Sequence, residues 1–133
     1  MGQFQQVPPD ITNVPRWEEH CRKVHARAKD LIDGKVGVIE AAEILHRLAI
    51  WTRAESDPDF SVYRKICGEI VGLPVGRERR HWSQEALERE DVKIKALEES
   101  WRPAALTSAH RLVDRYRWAL AARQRRRSTG HAV

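Results

Sequence analysis

Cysteine is nearly absent from this 133-residue chain: Cys21 and Cys67 are the only two. So low a count excludes a disulfide-dense scaffold, and with no Cys-x-x-Cys there is no thiolate zinc motif. No run approaches the roughly eighteen consecutive apolar residues that a membrane span needs. Strand-like alternation and internal repeats are missing, which argues against β-rich and solenoid architectures. There is no Gly-x-Ser-x-Gly elbow and no phosphate loop. The opening Met1–Asp10 stretch lacks a basic and then an apolar region, so no secretory signal is expected, and Gln6 stands where N-myristoylation requires Ser or Thr. These absences favour a soluble cytoplasmic protein with reduced thiols.

Hydrophobic residues make up 41% and charged residues 32%, enough apolar content for one small core. The net charge is +5, but its distribution is uneven. Residues 111–127 hold seven arginines (Arg111, Arg115, Arg117, Arg123, Arg125, Arg126, Arg127) against Asp114, which leaves 17 of the 24 basic and 18 of the 19 acidic residues for the rest of the chain. The body is therefore electrically mixed, and the basicity belongs to a helix C-terminus where cations complement the macrodipole. A nucleic-acid-binding domain spreads its cations over a face of the fold, so nucleic acid is not the favoured partner.

Helical spacing dominates the pattern. Residues 1–14, with Pro8 and Pro9, read as an extended arm. Pro15 opens a helix with Glu18 and Glu19 as its acidic start, a stripe of Trp17, Cys21, Val24, Ala28, Leu31 and Ile32, and Gly34 as its stop. A second helix runs from Val38 to about Ala54 and is the most apolar. Asp57 caps a third with Pro58 at its first position. Residues 68–76 hold three glycines and Pro74 and form an ordered apolar loop, the part of the chain best suited to function. Ser83 caps the last segment, whose stripe (Leu87, Ile94, Leu97, Trp101, Ala105, Leu112, Tyr116, Leu120) continues past Pro103 as one bent helix. The expectation is an all-α bundle of four or five helices with a long, Pro-kinked C-terminal helix, a helical domain over 15–123 and a basic disordered tail over 124–133.

Candidate chemistry is thin. Glu43-x-x-His46 and Glu78-x-x-His81 each place a carboxylate and an imidazole on one helix face, as carboxylate-bridged metal bundles do. Yet two further inward carboxylates are needed, and Arg77, Arg79 and Arg80 crowd the second pair. Cys67 has no histidine or acid partner in sequence. Arg102 to His110 and Arg77 to His81 miss the Arg-His spacing of helical ribonucleases on opposite sides. No cofactor, resident metal or catalytic residue is expected. Trp17, Trp51 and Trp101 lie on helix stripes and are expected in the core, with Trp118 half-exposed among arginines. Trp82 closes the loop as either an interface anchor or a staple against Leu87.

Around this loop the pattern is Asp57-Pro-Asp-Phe60, Leu73-Pro-Val-Gly76-x-x-Arg79-x-x-Trp82, and Ala86-Leu87-x-x-x-Asp91-x-x-Ile94-x-x-x-Glu98-x-x-x-Arg102. It resembles the uncharacterised small helical proteins of bacteria that occur beside secreted polymorphic toxins and are suspected to be their cognate immunity proteins. The likeness spans roughly residues 30 to 115 and rests on a spaced pattern, not a catalytic signature. Pro103 departs from that pattern. The resemblance implies a non-catalytic cytoplasmic protein that binds one toxin and blocks it. Asp57, Asp59 and Glu69 would flank one side of the loop and Arg77, Arg79, Arg80 and Trp82 the other. A near-neutral body is unlike the phosphate-mimicking inhibitors of nucleases, which points to a toxin of another class or one blocked away from its nucleic-acid groove. Two rival readings are a small nucleic-acid-associated or regulatory protein using the C-terminal arginines, and a metal-binding enzyme subunit built on Glu43, His46, Glu78 and His81. The amphipathic helices leave a homodimer open.

Overall fold

The computed structural model describes residues 7–122, in which α1 (Val14–Ile32), α2 (Val38–Trp51), α3 (Pro58–Glu69), a 3-10 helix (Gly76–His81) and α4 (Gln84–Arg115) follow one another. Beyond a turn at 116–117, residues 118–122 are helical again. The described residues contain no strand, and the fold is the small all-α bundle that the spacing predicts.

Local chemistry sets most boundaries. Asn13 accepts a hydrogen bond from the Arg16 amide at 3.1 Å to cap α1, and Gly34, at φ 76°, turns the chain out of it. Glu18 and Glu19 do not form an acidic first turn: α1 begins at Val14, and Glu18 is buried within the helix. Asp57 caps α3 through the Asp59 amide, and Ser83 caps α4 through the Ala86 amide. The described part of the arm is not extended throughout, because the Ile11 amide closes a turn onto the Pro8 carbonyl at 3.1 Å.

α2 stops at Trp51, three residues before Ala54. Arg53 takes φ 62°, and the Ala54 amide reaches back to the Ala49 carbonyl at 2.7 Å. A left-handed arginine costs roughly 1–2 kcal/mol. Two contacts of its guanidinium offset that cost, one to Asp10 at 2.6 Å and one to the Ile50 carbonyl at 3.2 Å.

The core fills the space among the inner faces of α1, α2, α3 and the second half of α4, with Trp17, Leu45, Phe60, Tyr63, Ile66, Leu112 and Tyr116 fully buried. Each large side chain removed from water contributes about 1.5–3 kcal/mol. Trp118 is a core residue rather than a half-exposed one: it stacks on Trp17 with ring centroids 5.5 Å apart. Trp51 departs the other way. It lies on the solvent side of α2, 44% exposed, with His20 against its ring. Trp101 is half-buried and donates its indole N–H to Glu69. Among polar contacts in the core, Trp17 Nε1 donates to the Thr52 carbonyl at 3.2 Å and Tyr63 Oη to the Ala105 carbonyl at 2.8 Å.

α4 runs through Pro103 without a break. Arg102, Pro103 and Ala104 are all exposed, so water can serve the carbonyl that the missing N–H leaves free. The two halves of α4 differ. Its buried residues, Ala105, Ser108, Ala109 and Leu112, all lie after the proline. The first half packs the half-buried Ile94, Leu97 and Trp101 against the edge of the core and adds polar ties.

One of those ties completes α2. Gly37 occupies the N-cap position and has no side chain to offer. Glu98 of α4 supplies the missing acceptor, taking the Ile39 amide at 3.0 Å. A Cβ on Gly37 would lie 3.0 Å from Glu98 Oε1. Gly37→Ala should therefore displace the carboxylate and lower stability by about 1 kcal/mol, whereas Gly37→Ser, which carries its own capping oxygen, should recover most of that loss. Thermal melts of the two variants check the order.

Candidate interaction surface

The segment between α3 and α4 is built by turns and one ion pair. Gly72 (φ 84°) and Gly76 (φ 58°) provide the two left-handed positions. The Leu73 amide closes onto the Ile70 carbonyl at 3.0 Å and the Trp82 amide onto the Arg79 carbonyl at 3.1 Å. Pro74 is fully buried. Arg79 then ties the segment to α4 with a bidentate pair to Asp91, at 2.6 and 3.0 Å, and a further bond to the Pro74 carbonyl at 3.2 Å. The guanidinium holds the Asp91 carboxyl below its ordinary range. Residues 70–82 are thus an ordered platform, and part of what the sequence marks as loop is helical: α3 extends to Glu69 and residues 76–81 form the 3-10 helix.

Two clefts share residues 75–77 as a wall. The larger, about 660 Å³, has Ile39, Ile44, Pro74, Val75 and Ile94 as apolar lining, with Glu40, Glu43, Arg47 and Arg77 at its edge. The smaller, about 410 Å³, adds Cys67, Ile70, Leu73 and Glu78. Among the described residues, Glu40, Glu43, Arg47, Arg77 and Glu78 take part in no ion pair, while Arg79, Asp91, Arg115, Asp57 and Asp59 do. Val71, at the tip of the segment, is 80% exposed.

The residues expected to flank the loop divide accordingly. Asp57 and Asp59 face α4: Arg115 bridges them at 2.7 and 2.8 Å, and Arg111 adds a contact to Asp59 at 3.7 Å. Glu69 accepts from Trp101, and Arg79 serves the tie to Asp91. Arg77 and Arg80 are exposed beside the half-buried Trp82; Arg80 Nε donates to its neighbour His81 Nε2 at 3.4 Å. Asp91 and Glu98, which sequence reasoning did not single out as functional, anchor the platform. Their signal was present in the quoted pattern, seven residues apart on one face of a helix.

The rival chemistries fare differently. Among the described residues no three His, Cys, Asp or Glu gather as metal ligands would, so Glu43, His46, Glu78 and His81 do not converge. Burial pushes the Cys21 thiol up to about 12, and burial with the Glu43 charge raises Cys67 as well, the reverse of an activated nucleophile. Of the C-terminal arginines, Arg111, Arg115 and Arg117 each pair with an acid; Arg123, Arg125, Arg126 and Arg127 lie outside the described residues, as does the expected tail. No helix among the described residues is long and apolar enough to cross a membrane. The chain matches no protein-family model, no curated protein and no solved structure.

Burial pushes the Asp57 carboxyl up, but hydrogen bonds from Arg115 and the Asp59 amide, together with the Arg115 charge, outweigh it and hold the carboxyl below its usual value. A carboxyl held low in the folded state adds stability that is complete above its unfolded pKa and is lost as pH falls through the folded one. Asp57→Asn keeps the cap and removes the charge. It should be less stable than wild type by about 1 kcal/mol at pH 7, with the gap closing below pH ~4. Urea midpoints across that range measure it.

Proposed function

We propose that the protein is a non-catalytic binding protein that neutralises a bacterial toxin in the cytoplasm by direct contact, with residues 70–82 as the contacting element. The observation that supports this most is the combination of a tied-down platform with unpaired charges. Arg79 and Asp91 fix the backbone, while among the described residues Arg77, Glu78 and Arg80 take part in no ion pair, and Val71 is exposed. A preordered segment loses little entropy on binding, and unpaired rim charges steer encounter and select partners. Two arginines beside Trp82 fit an acidic patch with an apolar centre on the toxin. The raised thiols and the scattered histidines and carboxylates give no support to an enzymatic reading, and the pairing of Arg111, Arg115 and Arg117 with acids weakens the nucleic-acid one.

On this reading, a large secreted protein with a variable C-terminal domain is encoded immediately upstream. Co-expression of that domain should arrest growth without this chain and spare growth with it, and the two should co-purify as a complex. Arg80→Glu or Trp82→Ala should weaken the complex by about 10- to 100-fold with an unchanged helical signal. A missing toxin neighbour, no complex, or full affinity in both variants would contradict the proposal.

A further inference from the structure

We propose that the outward face of α2 is a homodimer interface, in which two copies pack α2 antiparallel about a two-fold axis at the level of Leu45. This goes beyond the toxin reading and does not depend on it.

The inward face of α2 is fully used by the core, with Val38, Ala41, Ala42, Leu45, Leu48 and Ala49 buried. Its outward face is a single stripe at helical spacing: Glu40, Glu43, Arg47, Ile50 and Trp51 are exposed, and Ile44 is half-buried between them. Ile50 and Trp51 are each 44% exposed, a large apolar outlay for the solvent face of a short helix. The charges on the stripe run acid, acid, base from its N-terminus, and among the described residues none takes part in an ion pair.

That order is self-complementary under one arrangement. Antiparallel packing about the level of Leu45 sets Glu43 opposite Arg47 of the second copy, and Arg47 opposite its Glu43. Parallel packing in register would set acid on acid and base on base. A two-fold contact must use one patch twice, and this patch satisfies that condition.

The same register sets Trp51 opposite Ile39, and Ile50 opposite Glu40. Trp51 lies six residues from the axis, about 9 Å along the helix. Ile39 lies equally far on the other side and lines the 660 Å³ cleft with Ile44, Pro74, Val75 and Ile94. Each copy would therefore place its exposed tryptophan at the mouth of the other's cleft, where a large aromatic in an apolar recess makes an effective anchor.

Charge exchange tests the register directly. The association of the full chain, without any toxin, is measured by analytical ultracentrifugation from about 1 to 200 µM. Wild type should be dimeric in the upper part of that range. Glu43→Arg and Arg47→Glu should each weaken association at least tenfold by setting like charges together, and the double variant E43R/R47E should return to within about threefold of wild type. Trp51→Ala should also weaken it. All three sites are exposed, and circular dichroism checks that the fold is kept. A wild type that stays monomeric throughout would overturn the proposal. So would single variants that dimerise normally, a double variant no better than the singles, or a face that proves to be covered by a different protein. Because no toxin is present, these results do not measure the toxin contact of residues 70–82, although Pro74 and Val75 of that segment line the cleft that the second copy's Trp51 would approach.

Discussion

A carboxylate from one helix completes the bare N-terminus of another, and the shape of the larger cleft follows from it. α2 begins at a glycine that cannot cap it, and Glu98, 59 residues further along the chain from the amide it accepts, does so instead. A charged acceptor on a backbone amide is worth roughly 1.5–3 kcal/mol, and here it also fixes where the first half of α4 lies. That half has no buried residue of its own. It is held by the half-buried Ile94, Leu97 and Trp101 against the core edge and by three polar ties, Asp91 to Arg79, Glu98 to Ile39 and Trp101 to Glu69. Gly37 is the residue that lets the carboxylate come close enough.

The larger cleft is the space left between elements joined in this way. Ile94 and Glu98 of α4, Ile39 and Ile44 of α2, and residues 74–77 with Arg79 bound it, so anything that loosens the ties changes its shape. Charge is partitioned to match. Where acids and bases serve the scaffold they are paired, as in the Arg115 bridge to Asp57 and Asp59 and in the Asp10–Arg53 contact. Around the larger cleft Arg79 and Glu98 are paired as well, whereas among the described residues Glu40, Glu43, Arg47 and Arg77 take part in no ion pair. Pairing within a chain is satisfied on folding, whereas unpaired charge around an apolar recess is left for whatever approaches from outside.

What could be read in the sequence is what local chemistry determines. The Asp57 and Ser83 caps, Pro58, Gly34 and the helical stripes act within a few residues of one another, and the structure places most of them as the spacing requires. Several misreadings depended on neighbours far away in sequence. Trp51 and Trp118 both sit on helical stripes, but only the packing of α1 against the C-terminal turn decides that Trp118 is stacked on Trp17 while Trp51 faces solvent. Arg53 ends α2 in a left-handed conformation that arginine rarely adopts, stabilised by an aspartate 43 residues away. The loop could be recognised from its glycines and proline. The employment of Arg79 and of the acids Asp57, Asp59 and Glu69 in internal contacts could not, because each partner lies on α4.

If Glu98 and Gly37 together set the platform, the most direct test is amide hydrogen exchange at Ile39 and across residues 70–82, in wild type and in Glu98→Ala. Expected is a loss of protection at Ile39 of about tenfold or more, with faster exchange through residues 70–82 and unchanged protection in the core around Leu45 and Leu112. Equal protection at Ile39 and across residues 70–82 in the two proteins would contradict that dependence.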